Sequence, residues 1–74
     1  MKNSELMKKG GEAVRRRRMD LGMTQHAMAM KVDCSPSAVG RWEAGEVEPA
    51  AKRRPAIAEA LRVDSFSSLY YGAK

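Results

Sequence analysis

One cysteine, Cys34, and one histidine, His26, are all that the sequence contains of either residue. An intrachain disulfide is thereby excluded, and the pair offers too few ligands for a structural zinc site. Aromatic residues make up 5% of the chain. β-Branched residues are scattered and nowhere alternate with polar ones, so strand signals are weak throughout. No window approaches the roughly 18 apolar residues of a membrane span, and Met1 to Lys9 lacks the apolar stretch of a signal peptide. The expectation is a soluble chain, located in the cytoplasm, with no membrane partner. One His, one Cys and dispersed carboxylates give no nucleophile and base in a recognisable pattern. An enzyme is therefore not expected, nor a metal, a cofactor or a small-molecule substrate.

What is abundant is helix-forming and basic. Ala, Met, Leu, Arg, Lys and Glu dominate, which predicts an all-α fold. With 74 residues there is room for one domain, 1–74, with 1–9 as an N-terminal arm or helix extension, and its core must be small. Fourteen Lys and Arg against nine Asp and Glu leave a net charge of +5 and a pI near 9.8. That excess suits a polyanionic partner, nucleic acid first among them, although a basic solubility surface has the same composition.

Five short helices are predicted. The first runs from about Glu12 to Leu21, with Val14, Arg18 and Leu21 on one face. Lys2 to Lys9 extend it only across Gly10 and Gly11, which weaken a helix, and Gly22 stops it. The second has Thr24 as N-cap and runs through Lys31, bringing Ala27, Met28 and Met30 near one another, with Val32 four residues beyond Met28. The third opens with Ser35 as N-cap and Pro36 at the first helical position, continues to Ala44, and ends at Gly45. Ala38, Val39 and Trp42 form its inner stripe, which leaves Pro36, Ser37, Gly40 and Arg41 outward. A loop, Glu46 to Lys52, precedes a fourth helix from Arg54 or Pro55 to Arg62 that buries Ile57, Ala58, Ala60 and Leu61. The fifth spans Ser65 to Tyr71, capped by Asp64 or Ser65, with Phe66 and Leu69 inside and Gly72 at its end.

The second and third helices, separated by a few residues around Asp33, have the dimensions of a helix-turn-helix unit. Ala29 and Ala38 at their contact permit the close crossing that lets the latter helix project into a major groove. Here the chain resembles a known family. Gly-Met-Thr-Gln at 22–25, Ser-Pro-Ser-Ala-Val-Gly-Arg-Trp-Glu-Ala-Gly at 35–45, Pro49 and Ala-Glu-Ala-Leu-Arg-Val at 58–63 are similar to the lambda-repressor-like, or XRE, helix-turn-helix family. The resemblance covers about 11–72. The closing Leu-Tyr-Tyr-Gly-Ala-Lys at 69–74 and Pro55 resemble more particularly the Cro and repressor N-terminal domains of lambdoid phages. Two positions depart from the pattern: Asp33 stands where the turn usually has Gly, and Met23 where Leu usually precedes Thr. Asp tolerates left-handed backbone better than most residues, so Asp33 preserves the turn.

The resemblance implies a double-stranded DNA partner and roles for particular residues. Ser35, Pro36, Ser37 and Arg41 match positions that face the bases. Pro36 has no N–H to donate and offers apolar contact at most. Arg41 can bridge both acceptors of a guanine edge, the alternative being phosphate contact. Gln25 matches a phosphate-holding residue at a helix start, and Lys52, Arg53 and Arg54 lie in a loop that follows the DNA backbone in the family. Arg18 and Glu43 match a salt-bridged pair between the first and third helices. For Arg15, Arg16 and Arg17 a solvated helix face is expected.

The remaining conspicuous residues are assigned structural places. Trp42 is expected in the core rather than as a stacking platform, His26 exposed, Cys34 as a buried inert thiol, and the methionines as gap fillers. Tyr70 and Tyr71, with Phe66, are expected to form an apolar patch used in a homodimer on DNA. The implied function is a transcriptional repressor that binds a near-palindromic operator as a dimer. An antitoxin or a restriction-modification controller of the same fold is the alternative, and the former normally needs a partner-binding segment where only Ala73 and Lys74 follow Gly72.

Overall fold

The computed structural model describes residues 3–72. Helices α1 (Asn3–Asp20), α2 (Gln25–Val32), α3 (Pro36–Ala44), α4 (Arg54–Ala60) and α5 (Phe66–Tyr70) follow in order, with a 3₁₀ turn at Ala51–Arg53 before α4. No strand occurs among the described residues. α1 packs on α3 and α5, and α2 on α3 and α4. Between them lies one core of Val14, Met28, Val39, Trp42, Ile57 and Leu61 with smaller neighbours.

Three helices begin as the sequence indicates. Thr24 Oγ1 accepts from the Ala27 amide at 3.0 Å, Ser35 Oγ from Ala38 at 3.2 Å and Ser65 Oγ from Ser68 at 3.1 Å. Each bond satisfies one of the amides that a helix N-terminus leaves without a partner. α2 ends on Asp33 in the left-handed region, φ 64°, where its short polar side chain is tolerated.

α1 departs from expectation. It is unbroken over 18 residues and passes through Gly10 and Gly11, although each glycine costs a helix roughly 1 kcal/mol against alanine. Both are buried, and the reason is close approach. A Cβ on Gly10 would meet the Tyr70 ring at 2.6 Å, and one on Gly11 would collide with the carbonyl oxygens of Trp42 and Glu43. The missing side chains admit α5 and the last turn of α3 to the surface of α1, and that burial outweighs the lost propensity.

Three further expectations need correcting. Phe66, on the inner face as expected of α5, and Tyr70, expected on the surface, are both core residues, 5% and 2% exposed, with rings stacked at a centroid distance of 4.8 Å. Their apolar area is already covered by their own chain, so of the three residues expected at a dimer face Tyr71 alone is on the surface. Met30 is 71% exposed, because the helical turn that buries Met28, Ala29 and Val32 points it outward. Arg17 is not merely solvated: its Nε donates to the Leu61 carbonyl at 2.8 Å and its Nη2 to that of Arg62 at 3.3 Å. This guanidinium caps the end of α4, where Arg62 itself takes the left-handed conformation, φ 57°.

Candidate nucleic-acid interface

α3 owes its exposed face to the period of its own sequence. Val39, Trp42 and Glu43 turn inward. Ser35, Pro36, Ser37, Arg41 and Ala44 are all exposed, with Gly40 half-buried. The N-cap at Ser35 and the proline behind it fix the first turn, so the residues offered to a partner sit on a rigid start rather than on a loop. Ser37, Arg41 and Ala44 follow at helical spacing along one stripe. Small side chains on that stripe let a partner approach the backbone closely, and Arg41 is its long, positively charged member.

Behind this face lies a buried ion pair. Arg18 Nε donates to Glu43 Oε2 at 2.6 Å and its Nη2 to Glu43 Oε1 at 3.0 Å. This fork-to-fork geometry ties α1 to α3. Arg18 is 8% and Glu43 7% exposed. The hydrogen bond to Glu43 raises the pKa of Arg18, against the opposing effect of burial. Its Nη1 donates to the Met23 carbonyl at 2.7 Å, which fixes the chain where it turns into α2. Among the described residues no buried side-chain nitrogen or oxygen lacks a partner. Such a pair contributes little net stability, since desolvation offsets its attraction, but it holds one geometry.

Gln25 joins the same network. Its Nε2 donates to Glu43 Oε1 at 3.0 Å, and its amide lies against Gly40, where an added Cβ would sit 3.7 Å away. The residue is exposed at the start of α2, so its side chain is oriented while its surroundings stay open to solvent. The amides of that first turn are suited to an anion.

The basic loop before α4 divides in two. Lys52 is exposed, whereas Arg53 and Arg54 are half-buried. Arg53 Nη1 donates to the Asp33 carbonyl at 2.7 Å and to that of Val32 at 3.3 Å. Arg54 Nε donates to the Pro49 carbonyl at 3.1 Å, its Nη2 lies 3.7 Å from Glu48, and its guanidinium carbon stands 5.0 Å from the centroid of the Phe66 ring. Glu48 also accepts from the Tyr71 hydroxyl. Thus Lys52 is open to solvent, while its two neighbours are bound to the protein's own chain. Sequence reasoning had no means of separating them, because the order Lys-Arg-Arg carries no record of which carbonyls lie nearby.

Cys34, between Asp33 and the Ser35 cap, is half-buried and unpaired. Burial pushes its thiol pKa up; the charge of Arg53 acts against this and that of Asp33 with it. No described group of three or more His, Cys, Asp or Glu is placed to hold a metal, and no described helix is long and apolar enough to cross a membrane.

Comparison with known proteins leads to the same elements. The crystal structure of the P22 c2 repressor in complex with a synthetic operator superposes with a TM-score of 0.80 at 32% identity, covering 88% of this chain and 96% of that one. The clp gene regulator ClgR from Corynebacterium glutamicum gives 0.75 at 26% identity, over 86% of this chain and 82% of its own. The restriction-modification controller C.AhdI from Aeromonas hydrophila gives 0.75 at 26%, over 78% and 88%. No curated protein matches the chain by sequence. Residues 14–66, from the core valine of α1 to the first residue of α5, match the family described as Helix-turn-helix. The chain belongs to this family, as a lambda-repressor-like (XRE) domain of the kind found in DNA-binding transcriptional regulators.

Proposed function

We propose that this domain is a sequence-specific double-stranded DNA-binding repressor of the Cro type, two copies of which occupy a near-palindromic operator. The observation that carries the reading is the open stripe of α3. Ser35, Pro36, Ser37 and Arg41 are exposed on a capped helix whose opposite side is locked by Arg18 and Glu43. A helix of this diameter fits the major groove and not the minor one. The P22 c2 repressor, 32% identical, has been crystallised with an operator.

In this reading Arg41 bridges the two acceptors of a guanine, and Ser35 and Ser37 make shorter polar contacts. Pro36 supplies an apolar edge. Gln25 and the amides of the first turn of α2 hold one phosphate, and Lys52 another. One copy makes too few contacts for a specific affinity of about 10⁻⁸ M or tighter, so a second joins it on the operator with half-sites about one helical turn apart. Tyr71, exposed beside Glu48, stands at the face where the copies meet. A dimer seated on a promoter obstructs polymerase, and the chain acts by occupancy without turnover of any substrate.

Selection of bound duplexes from a random pool tests this directly. The expected outcome is a palindromic preference. Arg41→Ala should lose discrimination at one base pair per half-site, by about 1 to 3 kcal/mol. Gln25→Ala should weaken all sequences alike. Recovery of no preferred sequence, or a 1:1 complex on an intact palindrome in sedimentation, would overturn it. The similarity to C.AhdI favours one variant of the same reading, a restriction-modification controller. A selected site upstream of a methyltransferase or endonuclease gene would decide for it.

A further inference from the structure

Arg53 lies in the basic loop that would run along a DNA backbone, yet its guanidinium is directed at the protein. Nη1 bridges the carbonyls of Asp33, at 2.7 Å, and Val32, at 3.3 Å, which lie 20 and 21 residues earlier in the chain. These carbonyls end α2. They have no intrahelical partner and stand at the negative end of the helix dipole, where a cation is favoured. The turn they belong to is short: Asp33 holds its left-handed conformation, Cys34 donates its amide back to the Ala29 carbonyl at 2.9 Å, and Ser35 already caps α3. A displacement of the Asp33 peptide is therefore passed across only Cys34 and Ser35 to Pro36 and Ser37. The far end of α3 is pinned separately, by Arg18 on Glu43 at 2.6 and 3.0 Å. One guanidinium holds each end of the helix.

We infer that Arg53 is a positioning residue for α3 and not a phosphate ligand: by clamping the turn between α2 and α3 it sets the angle at which the outward stripe is presented. This rests on the DNA-binding reading. The two roles differ in a measurable way. A cation that neutralises a phosphate releases counterions, so its removal flattens the dependence of log K on log salt by about 0.9 for each contact. A cation spent on the protein's own carbonyls leaves that slope alone.

The experiment is binding of Arg53→Met, Arg53→Lys and Lys52→Met to the selected duplex across a salt series, with thermal melts confirming that each variant is folded at the assay temperature. Arg53→Met is expected to weaken binding roughly tenfold, the size of one charge-assisted hydrogen bond, with the wild-type slope retained. Arg53→Lys is expected to fail similarly, because an ammonium on a flexible stem does not reproduce the fixed guanidinium bridge. Lys52→Met is expected to flatten the slope. Amide exchange without DNA supplies a second readout: protection of the Cys34 amide should fall in Arg53→Met. A flattened slope in Arg53→Met, full rescue by Arg53→Lys, or unchanged protection at Cys34 would each overturn the inference while the DNA-binding reading stands. A wild-type chain that shifts no duplex at low salt would instead overturn that reading and this role with it, and the exchange data would still report whether the clamp exists.

Discussion

At the scale of single residues, charge and burial make separable predictions. Replacing Arg18 with Met leaves the Glu43 carboxylate buried with only Gln25 as donor, which should cost about 3 to 5 kcal/mol. The double variant Arg18→Met, Glu43→Leu removes both charges and should recover much of that loss. Thermal melts of the single and double variants check it, and equal melting points would show that the pair's burial carries no such penalty. Tyr70 gives a pH dependence. Burial, with smaller contributions from Glu48 and Tyr71, raises its phenol above the ordinary 10.0, against the pull of Arg54. The folded state therefore holds this proton more tightly than the unfolded state does. Its stabilising contribution is complete below pH 10 and fades as the pH rises from there through the folded-state value. Melting temperatures measured above pH 10 should fall less steeply for Tyr70→Phe than for the wild type. Cys34 follows the same sign: with its thiol raised above the ordinary 9.0, alkylation by iodoacetamide should be slow at neutral pH and accelerate only beyond 9.

At the scale of helices, two glycines that look alike in the sequence have opposite consequences. Gly40→Ala meets only the Gln25 side chain, at 3.7 Å and beyond, and should stabilise the domain by about 0.5 to 1 kcal/mol through helix propensity. Gly11→Ala gains the same propensity but drives a methyl group into the Trp42 and Glu43 backbone, so it should destabilise by about 1 to 3 kcal/mol. Chemical denaturation of the two variants should move the midpoint in opposite directions. The same glycines show how much was legible beforehand. Caps, inner stripes and helix order follow from local rules, and Ser35, Pro36 and Gly45 mark the ends of α3 without any tertiary information. The continuity of α1 does not, because the compensation for Gly10 and Gly11 comes from Tyr70 and from the end of α3, distant in sequence. The inward turn of Arg53 and Arg54 and the capping by Arg17 escaped for the same reason. The fourth helix, expected to reach Arg62, stops at Ala60, and the left-handed conformation of Arg62 was hidden as well, since neither a glycine nor an asparagine marks it.

At the scale of the whole molecule, association is governed by the field of the entire chain. A net charge of +5 draws the domain to any duplex, and non-specific affinity should fall steeply with salt. Under the proposed function, discrimination among sequences should survive better, since that reading assigns it to a few side chains of α3. The first and last described helices are in direct contact: the Tyr70 hydroxyl approaches the Met7 carbonyl at 3.5 Å, 63 positions away, and its ring fills the place of a side chain on Gly10. A chain growing on the ribosome cannot seal the hydrophobic interior until Tyr70 has emerged from the exit tunnel, so folding of the domain must wait for α5. A nascent chain stalled short of α5 would remain sensitive to protease, whereas one extended a tunnel's length further would resist it.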